Sequence, residues 1–277
     1  MRLGCCGSIE QAELFKAVGF DFLEVNVQQV LRGDDDDATW SASAPDLGKL
    51  ALPIEAANCL VPGSHPIVGP QRDLKVLSAY MHRVARRAKQ LGLKILVFGS
   101  GGARKRPEGV DTKQADDHLA EFTRIAGDAC AACDVTLVIE HLHRGETNTL
   151  NRLRETRELC DRVRHSHVAV LVDSYHYALE KERDDNLLIL GDRLAHVHIA
   201  EPIDRIQPGA HGPAGESPKA FDFEHFFALL CKIGYRGRIS IEAGWTGPID
   251  QAGPPCVAML RQAWDVATED ELQSDSA

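Results

Sequence analysis

Short apolar runs alternate with longer amphipathic stretches along the whole chain. Residues 2–7 (RLGCCG) read as a strand stopped by glycine, followed by a helix over 9–18 that Ser8 caps and Gly19 ends. Residues 20–27 (FDFLEVNV) form a second strand, in which Glu24 and Asn26 share a face by the two-residue period. The polar stretch to residue 50 has no helical period and predicts a long loop with at most a short helix. A third strand covers 53–61, a helix 73–91 and a fourth strand 94–98, which runs into GSGGARKRPEG. The helix predicted over 116–133 leads into the apolar run 135–139, too short for a helix, which stops at Glu140. A helix over 150–163, a sixth strand over 168–172 ending at Asp173, a short helix over 185–190 and a seventh strand over 194–200 follow. After a Pro/Gly-rich loop to residue 220 come a helix over 222–233, an eighth strand over 238–241 ending at Glu242, and a closing helix over 252–267.

This alternation predicts a (β/α)8 TIM barrel, a single α/β domain over residues 1–268 with an acidic tail over 269–277. An open dinucleotide-binding sheet fits less well, because GSGG lacks the glycine spacing of a phosphate-binding fingerprint. No apolar run approaches membrane-spanning length, and no hydrophobic segment follows MRLGCCGS, so the expected location is the cytoplasm. A net charge of −10 argues against a nucleic-acid partner. The Asp34–Asp37 run and the acidic tail lack the glycine and spaced ligands of a calcium loop and read as solvated segments. The eight cysteines are expected to be reduced, with Cys130 and Cys133 on a helix face and Cys5 and Cys6 lining a strand.

Four successive strand ends carry metal-ligand types: Glu140, Asp173, His198 and Glu242. In a parallel barrel these ends open on the same face, where active sites lie. Any one of them alone reads as an ordinary hydrogen-bonded polar group, but a carboxylate at the tip of a buried strand is costly without compensation. Three acids and an imidazole together suit one divalent ion, Mn²⁺ first, with Mg²⁺ or Co²⁺ also fitting. His196 and His198 point the same way along their strand; His198 lies nearer its end and is the chosen ligand, with His196 left open.

The ordered segments IEHLHRGETN, VDSYH, HVHIAE and ISIE resemble the sugar isomerase/epimerase barrels related to xylose isomerase, and among them the D-tagatose/D-psicose 3-epimerases. The spacing of Glu140, Glu146, Asp173 and His176 follows that pattern, while Arg205 is offset by about a residue and the loop before the eighth strand is longer. The resemblance implies a metal held by Glu140, Asp173, His198 and Glu242, with Glu146, His176 and Arg205 at the substrate's carbonyl end. It further implies a small sugar substrate and a dimer or tetramer. The chemistry expected of such a set is proton transfer next to a ketose carbonyl through an enediolate. Glu140 and Glu242 would be the paired acid and base, and His176 and Arg205 would steady the oxyanion by charge-assisted hydrogen bonds.

The same ligand types serve a lyase or dehydratase acting on a keto-sugar, keto-inositol or 3-keto-glycoside. An apurinic endonuclease would need a basic groove and more metal ligands, and a non-catalytic sugar-binding barrel is the remaining reading. Lesser candidates are GSGGAR, either an anion nest with Arg104 or a tight turn, and His143, a supporting or further catalytic group. Trp245 is either a sugar floor or packing, Glu24 and Asn26 either bind substrate or fill the barrel, His141 faces packing, and His65 and Trp40 are possible rim contacts.

Overall fold

The computed structural model describes residues 1–274. Eight parallel strands follow one another around a closed barrel: β1 (Arg2–Cys6), β2 (Phe22–Asn26), β3 (Ile54–Asn58), β4 (Ile95–Phe98), β5 (Thr136–Glu140), β6 (Val168–Asp173), β7 (Leu194–Ile199) and β8 (Arg238–Ile241). β1 closes the ring by pairing with both β2 and β8. This is the (β/α)8 barrel that the alternation predicts.

Two apolar layers result. Inside, Phe22, Ala56, Ile95, Val97, Val138 and Leu171 pack on one another and plug the barrel floor. Phe22 fits because Gly4 faces it; a Cβ at Gly4 would overlap the ring. Outside, the opposite faces of the strands meet the helices, including Leu74–Gln90, Thr112–Ala131, Leu153–Val163, Phe223–Lys232 and Ile249–Ser274.

Local capping accounts for most shifts in element boundaries. The helix expected from residue 116 starts at Thr112, because the Asp111 side chain accepts from the amide of Gln114. The helix expected from 150 starts at Leu153, since Leu150 is held at φ 52°. Asp173 ends β6 and caps the unexpected short helix Ser174–Leu179, accepting from the amide of Tyr175 at 2.7 Å. The polar stretch after β2 contains the short helices Val27–Val30 and Asp37–Ser41. The final helix continues to Ser274, so the stretch expected as an acidic tail from 269 is helical that far; residues 275–277 lie outside the described residues. All eight cysteines are free, and Cys130 is buried on a helix. No helix among the described residues is long and apolar enough to cross a membrane.

Candidate metal centre

Strand register brings the four strand-end residues together. Asp173 pairs with His198 across β6 and β7, and His198 pairs with Ser240 on β8, two residues before Glu242. On the other side Glu140 pairs with Leu171, two residues before Asp173. The two-residue period therefore turns Glu140, Asp173, His198 and Glu242 to the barrel interior, above the apolar floor.

One donor atom from each of these four lies within 4.8 Å of all the others. Nδ1 of His198 is 3.3 Å from Oε1 of Glu140 and 3.1 Å from Oε2 of Glu242. Yet Nδ1 of His198 and Oε1 of Glu140 are buried without a hydrogen-bond partner. Buried polar atoms left unpaired are costly, and here they converge on one point with two more carboxylates. That set of one nitrogen and three carboxylates fits a divalent cation. His196 lies two residues deeper on β7, where its Nε2 meets Glu24 at 2.8 Å, and it is not among the four residues whose donor atoms converge here.

The acids are not equivalent. Burial pushes the Glu140 carboxyl up to about 7 against the opposing influence of the adjacent His198 ring, and the charge of Glu242 adds to the rise. Burial likewise raises Asp173 to about 6, opposed by Arg205. Burial also acts on Glu242, but the His198 ring and the Arg205 guanidinium outweigh it and hold this carboxyl below its ordinary range. Glu242 is also held geometrically: Asn58 donates to its Oε1 at 2.8 Å and Arg205 to its Oε2 at 2.6 Å. Asn58 was not picked out in the sequence, although it ends β3 as Glu140 ends β5 and Asp173 ends β6.

Arg205 reaches this point through strained backbone. Asp204 and Arg205 stand at φ 65° and 46°, left-handed conformations that favour glycine. The guanidinium lies 4.8 Å over the Tyr175 ring and 3.5 Å from Glu146, so the offset noted in the sequence does not keep it from the site. Glu146 is exposed and sits 3.6 Å from His143, which in turn stacks on His176 at 5.1 Å between ring centres. Glu146 thus approaches His176 through His143.

His176 departs from expectation in its charge. Burial holds its basicity far below the usual imidazole range, with neighbouring cationic groups adding to the effect. It is therefore neutral and does not supply the charge-assisted bond expected of it, whereas the Arg205 guanidinium beside it is charged. Its Nδ1 accepts from the main-chain N–H of His143 at 3.2 Å, which leaves the ring proton on Nε2. That Nε2 is buried, unpartnered and 3.7 Å from Asp173 Oδ2, so a neutral N–H donor faces the centre.

The lesser candidates separate. Arg104 is fully buried and donates to the carbonyls of Phe98, Glu140 and Leu150 at 3.2, 2.7 and 3.4 Å, so GSGGAR is a tight turn whose arginine props β5 rather than an anion nest. Trp40 donates to Val30 O and packs under Arg87, and Trp245 meets Phe20 edge-on at 6.5 Å; both pack. His65 bonds Asp34. Asn26 caps Val27–Val30, and His141 is fully buried. A cavity of about 460 Å³ opens beside Glu242, lined also by Cys6, Glu24, Asn58, Cys59 and Arg205.

Comparison with known proteins agrees with this architecture. Residues 12–262 match the family described as xylose isomerase-like TIM barrel. An L-ribulose 3-epimerase of Methylomonas sp. is 29% identical over 161 residues, 58% of this chain and 53% of that protein. A D-psicose 3-epimerase of Enterocloster bolteae is 34% identical over 100 residues, 36% of this chain and 32% of that one. The matches thus span about half or less of these curated relatives. Among solved structures, a 3-keto-D-glucoside 4-epimerase from E. coli superposes with a TM-score of 0.77 at 22% identity, covering 95% of this chain and 99% of that one. A D-allulose 3-epimerase from Methylomonas sp. gives 0.78 at 20% identity, covering 95% and 98%. At these identities the structures speak for the fold alone. The family match covers most of the chain, and the protein belongs to the xylose isomerase-like TIM barrel family.

Proposed function

We propose that the protein is a divalent-metal-dependent sugar epimerase that inverts the carbon next to a ketose carbonyl, most closely a ketose 3-epimerase. The observation that carries this reading is the convergence of Glu140, Asp173, His198 and Glu242 within 4.8 Å at the mouth of the barrel, with Arg205 and His176 alongside. The ketose epimerases among the relatives support the choice of substrate class. These four residues would hold the ion, Mn²⁺ being the best match to the donor set. When bound, such an ion polarises the substrate carbonyl and makes the adjacent C–H more acidic.

The residues divide the proton transfer between them. Glu242, kept ionised by Arg205 and His198, takes the C3 proton while the electron pair moves into the C2–C3 bond and charge gathers on the carbonyl oxygen. Neutral His176 donates its Nε2–H to that oxygen, and Arg205 contributes positive charge beside it. Glu140, whose buried carboxyl has the higher proton affinity of the pair, returns a proton to the opposite face. Glu146, close to both Arg205 and His143, would accept from a substrate hydroxyl.

The test is incubation of the Mn²⁺-loaded protein with a panel of ketoses in D₂O. Deuterium at C3 with inverted configuration is the expected result, and Glu140→Gln and Glu242→Gln should each abolish it. Deuterium at C1 would point instead to an aldose–ketose isomerase, and loss of water or aglycone from a keto-sugar to a lyase. Full turnover by either variant would end the two-carboxylate scheme.

A further inference from the structure

Below the candidate metal centre lies a second buried polar group that the proposed chemistry does not use. Glu24 on β2 is fully buried, and its two oxygens reach across the barrel to two histidines on β7. Oε2 is 2.8 Å from Nε2 of His196 and Oε1 is 2.9 Å from Nε2 of His198. The two imidazoles stand edge to face, 5.1 Å between centres. Underneath is the apolar floor that includes Phe22, Val138 and Leu171, and the Cys6 thiol lies within 4.8 Å of donor atoms of Glu24 and His198.

An ionised carboxylate only accepts, so each imidazole must present an N–H at Nε2. For His198 this decides which nitrogen is left for other work. Its Nδ1 is the atom that faces Glu140 and Glu242 and has no hydrogen-bond partner. The same bond stops the ring from turning about its Cβ–Cγ axis, since rotation would break the contact with Glu24. A carboxylate that receives the far N–H of a ligating imidazole fixes its tautomer and raises its basicity toward a metal.

We infer that Glu24 is a positioning residue for a metal ion, acting through His198: it holds the ring proton on Nε2 and aims Nδ1 at the centre. His196 completes the arrangement by occupying the second oxygen of Glu24, and so keeps the carboxylate from turning away from His198. This inference rests on the proposed metal site and extends it to the barrel floor.

Glu24→Gln tests it, because the amide keeps the shape of the side chain but cannot accept from both imidazoles at once. Mn²⁺ affinity, read from the EPR signal of free ion during titration of the metal-free protein, should fall by about 10- to 100-fold. The thermal melt of the metal-free variant, followed in parallel, reports whether the fold has survived. A second measurement needs no variant: ¹⁵N-detected NMR of the histidine rings in wild-type protein loaded with diamagnetic Zn²⁺. It should show His198 protonated at Nε2 and bare at Nδ1. A folded Glu24→Gln that binds Mn²⁺ within twofold of wild type, or a loaded His198 that is protonated at Nδ1 instead, would overturn the inference and leave the metal site standing. Failure of the wild-type protein to bind either ion would remove both.

Discussion

Gly99, the residue after β4, is where a single methyl group tests the proposed site most sharply. A Cβ built there overlaps Oε2 of Glu140 and lies 3.4 Å from its Cδ. Gly99 is not among the residues at positive φ, so alanine meets no backbone strain; its stiffer unfolded chain should by itself add roughly 0.4–1 kcal/mol of stability. The carboxylate is the part that must move, because Glu140 O is pinned by Arg104 at 2.7 Å. A displacement on the order of 1 Å in a reacting group lowers the rate by about 10²-fold, or about 2.7 kcal/mol. Gly99→Ala should therefore melt near the wild-type temperature while losing about two orders of magnitude in kcat/KM on the preferred ketose, with weakened Mn²⁺ binding. Gly102→Ala is the control in the same loop: its nearest contact would be Cα of Gly63 at 3.6 Å, an ordinary distance, and its activity should be unchanged. Wild-type turnover and metal affinity in Gly99→Ala would refute the placement of Glu140 in the centre.

Three further outcomes are expected. Asn58→Ala removes the 2.8 Å bond that holds Glu242; a hydrogen bond to a charged group is worth roughly 1.5–3 kcal/mol, so kcat/KM should fall about tenfold or more without loss of fold, as steady-state kinetics and circular dichroism would show. Arg104→Met strands buried carbonyls of Phe98, Glu140 and Leu150, at roughly 1–3 kcal/mol for each one left unpaired, and a urea titration should show a loss of about 3 kcal/mol or more. Metal affinity should weaken as pH falls: Glu140 and Asp173 are raised to about 7 and about 6, so the metal-free protein holds protons there that an ion must displace. The sign for stability is opposite in the metal-free protein, where these two raised carboxyls favour folding below their unfolded values and that contribution fades as pH rises through 6 and 7. Calorimetry in two buffers of different ionisation heat should detect proton release on Mn²⁺ binding at pH 6; an affinity flat from pH 5.5 to about 8 would contradict these shifts.

Much of the architecture was legible in the chain itself. The alternation of short apolar runs with amphipathic stretches is a local property, and it determines eight strands and the helices between them before any contact is known. Strand ends were equally legible, so Glu140, Asp173 and Glu242 could be named from where their apolar runs stop, with His198 preferred to His196 as the nearer to its strand end. Helix starts were less so, because a cap such as Asp111 or Asp173 acts through one side-chain bond that leaves no periodic trace.

What only the tertiary structure decided concerns partners distant in sequence. Both rings of β7 meet Glu24, more than 170 positions away, through Nε2, and closure of the barrel sets Nδ1 of His198 against Glu140 and Glu242. The neutrality of His176 follows from burial among basic neighbours, which residue type does not record. Arg205 enters the site through two left-handed residues, and Asn58 acquires meaning through Glu242, which lies 184 positions later. Periodicity is set by each residue's neighbours in the chain, whereas charge state, tautomer and aim are set by whatever closure of the barrel brings within a few ångströms.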